Sequence, residues 1–127
     1  MSIKDFFVRQ KKVLIVEDDV TLRTSLKEKF EEKGFVVFEA GDAKMVLATM
    51  ESFKPSALVL DLILPLKDGV SLLEEIRDSG YKQPVIILSN LLGSDLLRAD
   101  AKRLNAEFYN KSSTSLDSIV VAVTEHL

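Results

Sequence analysis

The sequence predicts a doubly wound α/β domain, in which helices cover both faces of a parallel sheet. Five short apolar runs alternate along the chain with five stretches whose apolar residues recur at helical spacing. Strands that alternate with helices favour parallel pairing and right-handed crossovers. The length of 127 residues suits one domain with one core.

Apolar runs without polar alternation indicate strands that are buried on both faces. The run at residues 12–16 is rich in β-branched side chains, which are favoured in strands. The run at residues 84–88 has the same character. The five predicted strands are 12–16, 35–38, 57–60, 84–88 and 107–109.

Apolar residues at three- and four-residue spacing indicate the helices. Gly34 and Gly80 follow two of them as C-caps, and Asp42 is placed to N-cap the second. Leu47 and Leu127 are assigned to buried helix faces. The five predicted helices are 20–33, 42–53, 69–79, 94–104 and 115–127. This pattern alone is also compatible with a flavodoxin, a small hydrolase or a sugar isomerase module.

Composition excludes several classes of function. Formal net charge is −3 without a long basic run, which disfavours nucleic-acid binding by this chain alone. The absence of cysteine excludes disulfides, thiolate catalysis and cysteine zinc sites, and the single histidine, His126, cannot build a triad or a multi-histidine metal site. No apolar run reaches the length of a membrane span, and the first residues do not resemble a signal peptide. A cytoplasmic protein is therefore expected.

Polar side chains follow four of the five predicted strands. Parallel strands point their carboxyl ends to one edge of a sheet, where ligands bind in open α/β folds. In chain order, the residues delivered to that edge are Glu17, Asp18, Asp19, Asp61, Ser89, Asn90 and Lys111. Taken singly, each has a simpler interpretation as a helix cap, a turn residue or a solvated surface residue.

Together these residue types point to phosphate chemistry at a metal site. Crowded carboxylates raise one another's pKa unless a cation lies between them. Oxygen ligands suit Mg²⁺, and a hydroxyl and an amine nearby suit an anionic group. Phosphoryl transfer needs this kind of charge neutralisation, and an aspartate can itself accept the phosphoryl group.

Four motifs occur in order on the expected elements. They are VLIVEDD at 13–19, LDLILPLKDG at 60–69, ILSN at 87–90 and FYNK at 108–111. Together they resemble the receiver domain of bacterial response regulators, the CheY-like family. The likeness covers residues 12–127, which we assign to a receiver domain, and residues 1–11 form an N-terminal extension.

The resemblance implies a phosphoryl acceptor and a metal site. Asp61 corresponds to the aspartate that becomes phosphorylated. Asp18 and Asp61 would bind Mg²⁺ directly, and Glu17 would bind it through water. The backbone carbonyl of Ile63 would be a further ligand. The expected cofactor is therefore Mg²⁺.

The resemblance also implies roles for residues around the phosphoryl group. Ser89 corresponds to the switch hydroxyl, and Lys111 to the phosphate-binding lysine. Phe108 corresponds to the switch aromatic, which turns inward when the hydroxyl engages the phosphate. Asp19 has no such role and is interpreted as a cap of the first helix.

The family's fold is a flavodoxin-like sheet of order 2-1-3-4-5 with helices on both faces, and the same fold is expected here. A histidine kinase or phosphotransfer protein would donate a phosphoryl group from phosphohistidine in a two-component phosphorelay. The fourth and fifth helices and the strand between them would then shift. A downstream protein, or an output domain outside this chain, would read that shift. The chain would be a switch more than an enzyme, without direct contact to nucleic acid or membrane, and homodimerisation stays open.

Two departures from the family pattern, and one comparison with another class of enzyme, keep other functions open. Asn90 occupies a position that is usually very small, and Ser112 follows Lys111 where proline is common. These two residues are compatible with a phosphorylation-independent docking receiver. A small metal-dependent phosphatase is a further alternative, although Ile63 stands where such enzymes need a second acid.

The N-terminal extension carries apolar residues that the receiver itself does not need. Ile3, Phe6 and Phe7 have the spacing of one helix face. They favour a short helix that packs on the domain or on a partner, whereas disordered chain ends are the commoner alternative.

Overall fold

A five-stranded parallel sheet forms the centre of the computed structural model, which describes residues 11–61, 66–90 and 95–127, without the side chains of 43, 66–69 and 95–97. The strand order is β2-β1-β3-β4-β5, and every neighbouring pair is parallel. The strands are β1 (Lys12–Val16), β2 (Val36–Ala40), β3 (Ala57–Asp61), β4 (Val85–Ser89) and β5 (Glu107–Asn110). The predicted fold class and strand order are confirmed.

Five helices connect these strands in the described part of the chain. They are α1 (Val20–Glu32), α2 (Val46–Phe53), α3 (Leu66–Asp78), α4 (Asp95–Arg103) and α5 (Leu116–Glu125). None of them combines the length and the apolar character needed to cross a membrane.

The sheet separates two apolar layers. Side chains on one face, such as Leu14 and Ile87, pack with helices α2, α3 and α4. Side chains on the other face, such as Ile15 and Ile86, pack with α1 and α5. The central strands are therefore buried on both faces, which is why their sequences lack polar alternation. Whatever follows their carboxyl ends is held by a close-packed core.

Capping residues set several helix ends as predicted. Asp19 Oδ1 accepts a hydrogen bond from the Leu22 N–H at 3.2 Å at the start of α1. Gly34 and Gly80 have φ of +86° and +95°, a conformation that glycine adopts without steric cost. These caps hold the loops that enter and leave the sheet.

Some predicted boundaries and burial assignments were wrong. Helix α3 begins at Leu66 rather than at Gly69, directly after a proline, a residue that favours helix starts. The predicted second helix is split, because Asp42 caps a 3₁₀ turn that precedes α2. Leu47 of α2 is 36% exposed, and Leu127, which lies beyond the end of α5 at Glu125, is 44% exposed.

Candidate functional site

The register of the sheet brings four predicted site residues together at its carboxyl edge, namely Glu17, Asp61, Ser89 and Lys111. Val16 of β1 pairs with Leu60 of β3, so Glu17 and Asp61 follow neighbouring positions. Asp61 in turn pairs with Leu88, one residue before Ser89. The Lys111 N–H donates to the Ser89 carbonyl at 2.9 Å, which places Lys111 beside the end of β4.

Three of these residues are buried although they are polar. Glu17, Asp61 and Ser89 are 1%, 6% and 0% exposed. A carboxylate in a buried position is costly unless a charge or a hydrogen bond compensates it. Asp18 and Asp19, by contrast, are exposed at the mouth of the site. The two buried acids therefore need a cationic partner.

Lys111 supplies that cation. Its Nζ donates to Asp61 Oδ2 at 2.6 Å and lies 3.2 and 3.3 Å from the two carboxylate oxygens of Glu17. Burial alone lowers the pKa of Lys111, but the hydrogen bond to Asp61 and the two negative charges outweigh it. The pKa of Lys111 is therefore raised, and its amine stays charged.

The Glu17 carboxyl binds its proton unusually tightly. Burial, followed by hydrogen bonding with the Asp61 carboxylate, raises its pKa to about 8. The Asp19 N–H, which donates to Glu17 Oε1 at 3.0 Å, opposes this shift without cancelling it. Without a metal ion, Glu17 is therefore largely protonated at neutral pH.

We expect the metal-free protein to lose stability as pH rises from about 4.5 to about 8. A raised acid pKa means that the folded state binds this proton more tightly than the unfolded state does. The unfolding free energy then falls across that window, by a few kcal/mol at about 1.4 kcal/mol per pKa unit. Denaturant titrations in a chelator would measure the slope. The Glu17→Gln variant should be flatter, and an identical slope in both proteins would contradict this assignment.

Three carboxylates form a group that could hold a cation. Oxygens of Glu17, Asp18 and Asp61 lie within 4.8 Å of one another. Asp61 Oδ1 is buried, and no residue in the described part of the chain donates a hydrogen bond to it. An orphaned buried carboxylate oxygen beside an exposed acid fits Mg²⁺, which takes few protein ligands and keeps several waters. Ile63, the other predicted ligand, lies outside the described residues.

The predicted switch residues, Ser89 and Phe108, lie on neighbouring strands, at the end of β4 and within β5. Ser89 is fully buried at the end of β4. Phe108 is partly buried against the same apolar layer as α4. The guanidinium carbon of Arg98 lies 4.8 Å from the centre of its ring, a cation–π contact between α4 and β5. Asn90 is exposed and does not join the core.

The turn that carries Lys111 depends on a residue that sequence reasoning missed. Asn110 Oδ1 accepts hydrogen bonds from the Ser112 N–H at 3.0 Å and from its hydroxyl at 2.7 Å. The described residues contain no cis peptide bond, so Lys111 and Ser112 are joined in trans. An asparagine two residues before a serine is a recognisable turn signal. The turn aims Lys111 at the acids without a proline.

Arg23 was also missed. Its Nη1 donates to the Glu17 backbone carbonyl at 2.7 Å, and its Nε lies 3.5 Å from Glu39. It thereby ties the loop that carries the acids to strand β2. No local pattern predicts this contact, because it depends on how α1 lies against β2.

Comparisons with known proteins agree on one family. The family model for the response regulator receiver domain matches residues 13–123. The transcriptional regulatory protein CpxR of Klebsiella pneumoniae is 37% identical over 98 residues, covering 77% of this chain and 41% of that protein. The transcriptional regulatory protein PdtaR of Mycobacterium tuberculosis is 29% identical over 114 residues, covering 89% of this chain and 55% of that protein. The receiver domain of the Francisella response regulator 1452 superposes with a TM-score of 0.80 at 31% identity, over 91% of this chain and 95% of that chain.

The chain spans only part of these curated relatives, 41% of CpxR and 55% of PdtaR. The likeness therefore concerns only the matched part of each relative. The superposition on the Francisella receiver domain covers nearly all of both chains.

Proposed function

The chain belongs to the response regulator receiver family, whose members act in two-component signalling as switches rather than as ordinary enzymes, and we propose that Asp61 is its phosphoryl acceptor. The contact that supports this most directly is Lys111 Nζ at 2.6 Å from Asp61 Oδ2, with Asp61 Oδ1 left without a donor among the described residues. One oxygen is held in place by an amine, and the other is available for chemistry.

In the proposed reaction, a carboxylate oxygen of Asp61 forms a bond to phosphorus while the bond from phosphorus to the donor nitrogen breaks. The product is an acyl phosphate on Asp61, and the leaving imidazole takes up a proton. Bound Mg²⁺, held by Asp18 and Asp61 with Glu17 nearby, would neutralise charge on the phosphoryl oxygens. Asp61 lies at a buried position, where electrostatic interactions are strong, so this compensation by Mg²⁺ and by Lys111 would carry weight there.

Lys111 and Ser89 would hold the transferred group. The Lys111 amine is charged and already touches the acceptor carboxylate, so it can donate to a phosphoryl oxygen with little movement. Ser89 is the last residue of β4, and its backbone carbonyl accepts a hydrogen bond from the Lys111 N–H. A hydroxyl at that position is suited to donate to a second phosphoryl oxygen.

The output would be a shift in the population of conformers of α4, β5 and α5. Ser89 at the end of β4 and Phe108 on β5 would couple phosphorylation to this face. Phe108 is only partly buried and contacts Arg98 of α4, so a rotation of its ring would alter a contact with that helix.

Receiver domains partner with histidine kinases, and we infer that a kinase or phosphotransfer protein supplies the phosphoryl group here. A downstream protein, or an output domain beyond this chain, would respond. The second candidate function is a receiver that binds a protein partner without being phosphorylated. The ion pair between Lys111 and Asp61 would also stabilise a domain that is never phosphorylated.

Incubation with acetyl phosphate and Mg²⁺ should add one phosphoryl group to the protein. Intact-protein mass spectrometry would detect it, and its release by hydroxylamine at neutral pH would identify an acyl phosphate. The protein should gain no phosphoryl group when a chelator is present during the incubation, and added Mg²⁺ should restore the reaction. The crowded carboxylates need a bound cation before a negatively charged phosphoryl donor can approach them. A chain that never gains mass in Mg²⁺ would support the docking function instead.

A further inference from the structure

A cleft of about 890 Å³ opens between α2 and α3, away from the site described above. Pro55 precedes β3 and Gly80 precedes β4, so the cleft lies at the amino ends of these two strands. Asp61 lies at the opposite, carboxyl end of β3. Its location at the opposite edge of the sheet separates it from phosphoryl chemistry.

The cleft combines an apolar floor with an acidic rim. Leu47, Met50, Pro55 and Tyr81 supply the floor. Three acids and one lysine line the rim, namely Glu51, Glu75, Asp78 and Lys54. Leu47 is 36% exposed, although a leucine at this helix position would ordinarily be covered. The lining thus favours an apolar segment that carries positive charge.

Hydrogen bonds hold one wall of the cleft in place. The Tyr81 hydroxyl donates to the Pro55 carbonyl at 3.1 Å. Arg77 Nη1 donates to the carbonyls of Tyr81 and Gln83 at 2.9 and 2.8 Å. A preformed cleft lets a ligand bind without the cost of ordering its walls.

The N-terminal extension has the matching chemistry. It carries Ile3, Phe6 and Phe7 at the spacing of one helix face. Residues 1–11 contain three basic side chains and one acidic side chain, opposite in balance to the cleft rim. Nothing in the proposed phosphoryl site uses these residues.

The extension also enters the domain beside this cleft. The Ser56 N–H donates to the Lys12 carbonyl at 2.8 Å, and Ser56 directly follows Pro55 of the cleft floor. The Lys12 side chain reaches the Phe53 carbonyl at 3.4 Å, on the α2 side of the sheet. Residues 9–11 join residues 3–8 to Lys12 and span up to ~10 Å when extended, so the docked segment must lie close to this entry point beside Pro55.

We propose that residues 3–8 bind the cleft between α2 and α3 of the same chain, with Phe6 and Phe7 on its apolar floor. Lys4 of this segment and Arg9, which directly follows it, then face the acidic rim, and Asp5 is the one acidic side chain of the extension. This interaction is independent of the phosphorylation of Asp61, and its failure would leave the proposed function untouched.

Disulfide trapping tests the proposal, because these 127 residues contain no cysteine. Val8→Cys is combined with Ser79→Cys, which lines the cleft, or with Lys33→Cys as the control. Both partner positions are exposed. Lys33 lies just before Val36, whose N–H donates to the Lys11 carbonyl, so the control is also near the point where the extension enters.

The Ser79 pair should form an intramolecular disulfide at least ~10-fold faster than the Lys33 pair, since docking raises the effective concentration of the two thiols. Adding Phe6→Asp should bring the Ser79 pair down to the control rate. Non-reducing electrophoresis and peptide mapping would follow both reactions. Equal rates in the two pairs, or no effect of Phe6→Asp, would overturn the proposal. Disulfides that form mainly between two chains would overturn it in favour of a second copy as the occupant.

Discussion

Phosphoryl acceptance should fall by at least ~1,000-fold when Asp61 is replaced by Asn, because an amide lacks the carboxylate nucleophile on which the acyl phosphate forms. The substitution is nearly isosteric and leaves an oxygen that can still accept from Lys111, which now lies 2.6 Å from Asp61. The fold should therefore persist. Mass spectrometry after incubation with acetyl phosphate and Mg²⁺ measures the effect.

Asp19→Asn is the matched control for this experiment. Asp19 lies near the same site but is exposed and caps α1, and Asn caps helices about as well as Asp. This variant should be phosphorylated at the wild-type rate. If Asp61→Asn were phosphorylated as fast as the wild type, the acceptor would have to be a different residue, and peptide mapping would locate it.

Replacing Lys111 with Met should damage both stability and chemistry. Two buried acids would lose the amine that now contacts both of them. Leaving charges unpaired at such positions should cost roughly 2–4 kcal/mol of unfolding free energy at about pH 8. The loss should shrink near pH 5, because protonation of Glu17, whose pKa is already raised to about 8, removes part of the repulsion. Phosphorylation should slow about 100-fold, as when one charge-stabilising donor is removed from an active site.

The same substitution at an exposed ion pair provides the comparison. Lys29 lies 3.2 Å from Asp117, and their side chains are 40% and 76% exposed, far more than those of Glu17 and Asp61. Lys29→Met should cost less than ~1 kcal/mol and leave phosphorylation unchanged. Denaturant unfolding and the phosphorylation assay would be run on both variants. Equal losses in stability would show that the contacts of Lys111 with the buried acids carry no special weight.

Much of the fold could be predicted because its causes are local. A strand that is covered on both faces must be apolar throughout, and the run at residues 12–16 shows this directly. A glycine such as Gly34 ends a helix through its own φ of +86°. The position of Asp61 at the end of a buried strand was likewise readable, because strand ends are local features. The helix starts at Leu66 and Val46 were less predictable, since turns before a helix depend on the packing around them.

The sequence by itself determined the fold class, the strand ends and the set of polar residues delivered there. Only the tertiary structure decided how those residues act on one another. Lys111 contacts Asp61 and Glu17 across 50 and 94 positions of sequence, and its turn rests on Asn110. The raised pKa of Glu17 follows from burial and from its distance to Asp61, neither of which is a property of local sequence. Electrostatic interactions depend on separation and on the surrounding dielectric, and both are set by packing.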